Sequence, residues 1–140
     1  TAGYAISYAD FQYAASYKKF AEVNAKNYDG KIWFLGHHGF QYYMEKEGFT
    51  ALGAGSNDPS KGDIIIKAEI PSPRKISPQL MERISIIEKS HVFSNFPVRI
   101  QNPESHAGFY TYGGGFLPYS FSYAPLETFT VYKVEKNATQ

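Results

Sequence analysis

Two glycines bracket two imidazoles in Gly36-His37-His38-Gly39, the residues of this 140-residue chain best suited to chemistry. They follow a short apolar run and precede good helix formers, which predicts a buried strand, a tight turn and a helix start. In open α/β sheets ligands gather at such a place, because the free N–H groups of a helix start can receive an anion. The glycines permit close approach of a phosphate or carboxylate. The imidazoles can donate hydrogen bonds or exchange a proton near neutral pH. The plainer reading is a tight turn with one histidine packed and the other in water. Neither the G-x-G-x-x-G spacing nor a G-x-x-x-x-G-K-[ST] loop occurs, which argues against nucleotide hydrolysis. Gly36, His37, His38, Gly39 and the nearby Gln41 are therefore the first candidates for ligand contact.

A second candidate region is the run from His106 to Tyr119, where flexible glycines alternate with rings. A tyrosine offers a flat face to the C–H side of a sugar and a hydroxyl for a hydrogen bond, so Tyr110 and Tyr112 are expected at a recognition surface. The plainer reading is that Phe109, Phe116 and Leu117 plug that loop onto the core, and both readings hold together if Phe faces inward and Tyr outward. Metal binding is not expected. His37 and His38 are adjacent and diverge on regular structure, and His91 and His106 have no acidic residue at ligand spacing. The carboxylates of Asp63, Glu69 and Glu104 could serve a glycosidase-like pair, but solvated charges are the simpler expectation. No G-x-S-x-G elbow is present.

These residues must be positioned by a regular frame. Ser7-Tyr8-Ala9-Asp10 has the spacing of a capping box and predicts a helix start, with the helix running from Phe11 to about Asn27. Lys31 to Leu35 and Ile64 to Ile66 are continuous apolar runs, as in strands covered on both faces. Between them, Phe40 to Glu47 reads as a short helix and Phe49 to Leu52 as a short strand. Ser77-Pro78 opens a helical turn. Ile84 to Phe93 reads as a strand, Phe96 to Ile100 as an edge strand because of Pro97, and Phe129 to Val134 as an alternating strand. The fold class is α/β: a small mixed sheet with buried parallel strands flanked by helices, plus antiparallel strands in the C-terminal half.

Composition bounds the function. With 43% apolar residues and no cysteine, the chain fills a single core over residues 1–140 without disulfides or thiolate zinc. A net charge of +1 lacks the basic footprint of a nucleic-acid binder. No stretch approaches the roughly 18 apolar residues of a membrane span. The 24 aromatics (12 Tyr, 11 Phe, 1 Trp) are the outstanding excess. Phe, Trp and the helix tyrosines are expected in the core.

Tyr8-Ala9-Asp10-Phe11-Gln12-Tyr13-Ala14, then the run from Lys31 to Gly48 with its Gly-His-His-Gly-Phe-Gln-Tyr-Tyr centre, then Lys61-Gly62-Asp63-Ile64-Ile65, carry a family resemblance. Together with Ala107 to Tyr110 and Leu117-Pro118, they resemble the soluble C-terminal region of protein O-mannosyltransferase-like membrane glycosyltransferases. The resemblance implies a domain excised from a larger membrane protein whose parent moves a sugar from a polyprenyl-phosphate donor. It implies an extracytoplasmic location, the parent's membrane-spanning part as partner, and a sugar or acceptor substrate nearby. Catalytic acids of such enzymes lie between membrane spans, so a non-catalytic accessory role without a cofactor is expected. The alternatives are a stand-alone enzyme using a histidine as general acid or base on an anionic small molecule, and a carbohydrate-binding module.

Overall fold

The computed structural model describes residues 1–53, 55, 57–70, 74–109 and 115–139. Helix α1 (Ala2–Lys19) continues through a π turn at Phe20–Asn24 and a 3-10 turn at Ala25–Asn27. Its buried residues Ala9, Tyr13, Ser16, Tyr17, Phe20, Ala21 and Ala25 recur every three to four positions, one stripe laid on the sheet. The helix begins at Ala2, so Ser7 and Asp10 lie inside it and form no capping box. The Ser-x-x-acid spacing fits a helix interior equally well, and Ala2 and Ala5 before it are strong helix formers.

Strand β1 (Ile32–Leu35) is buried along its whole length because both faces are covered. Ile32 and Phe34 meet α1 and helix α2 (His38–Lys46), whereas Trp33 and Leu35 meet the cluster of Ile65, Leu80 and Tyr132 on the other face. Strands β2 (Thr50–Ala51) and β3 (Ile64–Ala68) both pair with β1 in parallel. A left-handed turn at Gly30 (φ 101°) precedes β1, and a Cβ there would stand 2.9 Å from the Gly62 carbonyl oxygen.

The chain then passes through helix α3 (Pro78–Met81), capped by the Ser77 hydroxyl oxygen, which accepts from the Leu80 N–H. Strand β4 (Ile84–Val92) pairs antiparallel with β9 (Glu127–Val134), with a register shift between Ile86 and Glu88. The five strands are ordered β2-β1-β3-β9-β4, so the expected mixed α/β sheet is present. β9 does not close it at an edge. It lies between β3 and β4, and nearly all of it is buried rather than alternating.

Residues 94–109 and 115–125 form a separate layer. Strand β5 (Val98–Arg99) pairs with β8 (Ser120–Phe121), and β6 (Gln101–Asn102) with β7 (Ala107–Gly108). The expected edge strand at 96–100 is therefore not on the main sheet, whose edges are β2 and β4. Val98, Ile100 and Phe96 pack instead on Ala5, Ile6 and Ala9 of α1. The Arg99 guanidinium is almost completely buried here. It donates to the carbonyl oxygens of Ala124 (2.9 Å), Ser94 (3.1 Å), Val98 (3.2 Å) and Phe96.

The aromatic excess divides differently from expectation. Phe20 and Phe129 stack at 3.8 Å, and Phe40 touches Tyr17, Phe34 and Phe129. Tyr4, Tyr8 and Phe11 of α1, however, are exposed, as are Phe93, Phe121 and Tyr123. Phe109, Phe116 and Leu117 do not plug a loop onto the core either, because Val98, Ile100, Phe96 and Tyr119 already fill the small cluster beneath that layer.

Candidate functional site

The turn after β1 brings its residues to α1. His37 takes the N-cap position of α2 in extended backbone, and His38 follows at φ 53°, a left-handed conformation uncommon for a non-glycine residue. Asp10, Tyr13 and Tyr17 of α1 face this turn. Together with His37, His38 and Gly39 they line a cleft of about 310 Å³. A Cβ on Gly39 would stand 3.4 Å from the Tyr17 ring, so the small residue lets the two helices approach.

The floor of the cleft is a hydrogen-bonded relay. The Tyr17 and Tyr13 phenol oxygens are 2.6 Å apart, and both donate toward the Ile70 carbonyl oxygen, at 2.7 and 3.0 Å. Tyr17 also meets Oε2 of Glu127 at 2.6 Å. Oε1 of this fully buried carboxyl accepts from the backbone N–H groups of Ile70 (2.7 Å), Thr128 (2.8 Å) and Glu69 (3.1 Å). Burial pushes Glu127 up from its ordinary value of 4.5 to about 8, against the opposing pull of the Tyr17 and backbone hydrogen bonds. Burial, then the neighbouring Glu127, push the Tyr17 phenol upward as well. At neutral pH the carboxyl and phenol therefore both hold protons. Two phenol hydrogens cannot fill four oxygen–oxygen contacts, and a proton on Oε2 supplies a third.

His37 is half-buried at the rim. The Arg74 Nε–H donates to its Nε2 at 3.2 Å, which leaves the hydrogen of the neutral ring on Nδ1. Burial first, then Arg74 and His38, hold the imidazole below its ordinary pKa. The basic lone pair of His37 is thus already occupied. His38 is exposed, its ring 5.9 Å from that of His37.

The other candidates are dispersed. Gly36 is buried beneath Phe40, and a Cβ there would lie 2.3 Å from the ring. Gly36→Ala is expected to displace Phe40 from the core and to lower stability by about 1–3 kcal/mol in urea unfolding; an unchanged midpoint would show that the ring yields freely. Gln41 donates to Glu45 at 2.9 Å along α2 and does not line the cleft. Tyr110 and Tyr112 lie outside the described residues. Asp63 accepts from the Trp33 indole N–H (2.8 Å) and the Ser60 backbone, and Glu69 pairs with Lys67 at 3.0 Å, so neither faces the other as a catalytic pair. Among the described residues no three histidine, aspartate or glutamate side chains group as metal ligands.

Sequence reasoning missed Glu127, Tyr13 and Tyr17 as site residues, and Arg74 as the partner of His37. A glutamate opening the apolar strand Glu127–Val134 was the available signal, since a charge in such a strand must find donors. Chemically, the cleft presents phenol edges, an imidazole N–H and a carboxylate to a ligand rich in hydroxyls, with a guanidinium beside it. Searched against protein-family models, curated proteins and solved structures, the chain finds no match.

Proposed function

We propose that the chain is a non-catalytic recognition domain of a membrane glycosyltransferase that uses a polyprenyl-phosphate sugar donor. In this reading it works on the extracytoplasmic face beside the parent's membrane-spanning part, and holds the sugar or acceptor between α1 and α2. The observation that carries it is the cleft itself: the Gly-His-His-Gly turn of the family-like stretch shares one concave surface with Asp10, Tyr13 and Tyr17. Its volume lies at the small end for ligand sites, about 300–1,000 Å³. A carboxylate and an imidazole N–H can fix hydroxyls over the phenol edges that line the cleft. The engagement of His37 Nε2 by Arg74 favours binding over proton transfer.

Methyl α-D-mannopyranoside added to the ¹⁵N-labelled chain is expected to shift the amides of Asp10, His37, His38 and Gly39 saturably. Asp10→Asn is expected to weaken that binding about tenfold, as for loss of a charged hydrogen bond. Unmoved signals across a panel of manno-, gluco- and galactosides would overturn sugar recognition. The coding sequence upstream of Thr1 tests the rest: apolar spans are expected there, and a reading frame without them would remove the membrane enzyme.

A second reading, His37 as acid or base on an anionic small molecule, draws on its lowered pKa and on Arg74. It requires an anion to draw Arg74 off Nε2. Imidazole ¹⁵N shifts that stay fixed under saturating phosphate would exclude it.

A further inference from the structure

A second cleft, of about 390 Å³, lies on the opposite face of the sheet, where Leu35 at the end of β1 meets Leu52 just after β2. Its apolar wall is formed by Leu35, Leu52 and Leu80, and its charged lining by Arg74, Lys75, Arg83 and Asp58. The chain leaving β1 turns into α2 on one face, whereas the chain leaving β3 turns into α3 on the other. Such a divergence of connections at the carboxyl ends of neighbouring parallel strands opens a crevice, the usual place for a ligand in an open α/β sheet.

The charges in this cleft do not cancel. Arg83 is committed: Nε donates to the Lys136 carbonyl oxygen (3.0 Å), Nη2 to that of Pro59 (2.5 Å), and Nη1 stands 3.9 Å from Asp58. That pairing uses the only carboxylate lining the cleft among the described residues. Arg74 spends Nε on a neutral acceptor, His37, and neither Arg74 nor Lys75 forms an ion pair among the described residues. Two exposed cations with no ion-pair partner among the described residues therefore border an apolar wall. Nη1 and Nη2 of Arg74 remain as a planar fork, the geometry that matches two oxygens of one oxyanion, while Lys75 adds a mobile point charge.

We propose that this cleft is a phosphate-ester site, with Arg74 and Lys75 holding the oxyanion and Leu35, Leu52 and Leu80 covering its substituent. Arg74 lines this cleft and donates to His37, which lines the one between α1 and α2. The site stands independently of sugar recognition, because its probe is phosphate and Lys75, Leu35, Leu52 and Leu80 do not line the other cleft.

The test is titration of the ¹⁵N-labelled chain with inorganic phosphate at low ionic strength. Saturable shifts are expected at Leu52, Arg74, Lys75 and Ser77, weakening as salt is raised. The double variant Arg74→Gln with Lys75→Gln is expected to lose affinity tenfold or more, in line with loss of charge-assisted hydrogen bonds. Both side chains are exposed, and spectral dispersion equal to the parent chain checks that the variant is folded. The control Lys18→Gln with Lys19→Gln, on α1, is expected to bind as before. Sedimentation with vesicles containing phosphatidic acid, but not with pure phosphatidylcholine, would identify the ester as a lipid headgroup; binding of glycerol 3-phosphate without vesicle binding would identify a soluble ester. Equal phosphate affinity in the two double variants, or no saturable shift at Arg74 and Lys75, would overturn the proposal.

Discussion

Between about pH 5 and pH 8 the protein is expected to lose stability steadily, and Glu127→Gln is expected to flatten that loss. Glu127 is raised from 4.5 to about 8 in the folded chain by burial. Between these values the folded state holds a proton that the unfolded state releases, so stability is fully present below the unfolded value and falls as pH rises through the folded one. One proton changes the folding equilibrium by as much as tenfold per pH unit within the window. His37 acts with the opposite sign: its lowered pKa removes stability as pH falls through the imidazole range. It is only half-buried, so its contribution is the smaller. In Glu127→Gln the amide oxygen still accepts from Glu69, Ile70 and Thr128, and the amide N–H can donate to Tyr17, so the fold is retained without the titration. Glu127→Leu takes the carboxyl acceptor from the Ile70 and Thr128 N–H groups, while Glu69 keeps the Thr128 carbonyl oxygen at 3.0 Å, and is expected to cost about 2 kcal/mol or more. Urea unfolding followed by the fluorescence of the buried Trp33 at four pH values reads all three chains. A flat wild-type profile would contradict the protonated carboxyl.

Arg99→Met is expected to cost a comparable amount and to act on a different part of the molecule. One guanidinium serves the carbonyl oxygens of Ser94, Phe96, Val98 and Ala124, and so ties the chain entering β5 to the chain leaving β8. Removing it leaves buried acceptors with no donor, about 1–3 kcal/mol for each that cannot reach water. Arg99→Lys is expected to rescue little, because a compact ammonium cannot span carbonyls arranged around a planar fork. Hydrogen exchange is the discriminating measurement. Amides of residues 98–102 and 117–122 are expected to lose protection while Ile64–Ala68 and Glu127–Val134 keep theirs. Uniform loss throughout would mean that this layer and the sheet open as one unit.

The parts legible in the sequence are those whose environment is uniform along the element. Ile32–Leu35 and Ile64–Ala68 are covered on both faces, so an unbroken apolar run names them without knowledge of their neighbours. Ser77 and Pro78 announce α3 through strictly local bonds. β9 was harder, because Glu127 and Thr130 are polar yet buried, and their partners Tyr17 and Glu69 lie 110 and 61 residues away. The aromatic residues show the same limit. Tyr8 and Tyr13 occupy one helix, but only Tyr13 lies on the stripe that meets the sheet. The site was half legible for this reason: the Gly-His-His-Gly turn is a local signal, whereas Arg74 reaches it from another connection and the relay beneath it from α1 and β9.

The position of β9 also bears on how the chain comes together. Among the described residues β4 joins the sheet only through β9, and β3 meets β9 with Ile64 opposite Lys133, partners far apart along the chain. During synthesis β1, α2, β2 and β3 can assemble as soon as they leave the ribosome. The edges of β3 and β4 then stay open until residues 127–134 emerge and insert between them. Closing the sheet is a long-range step, slow relative to the local ones, and for that interval two unpaired strand edges are available to neighbouring chains.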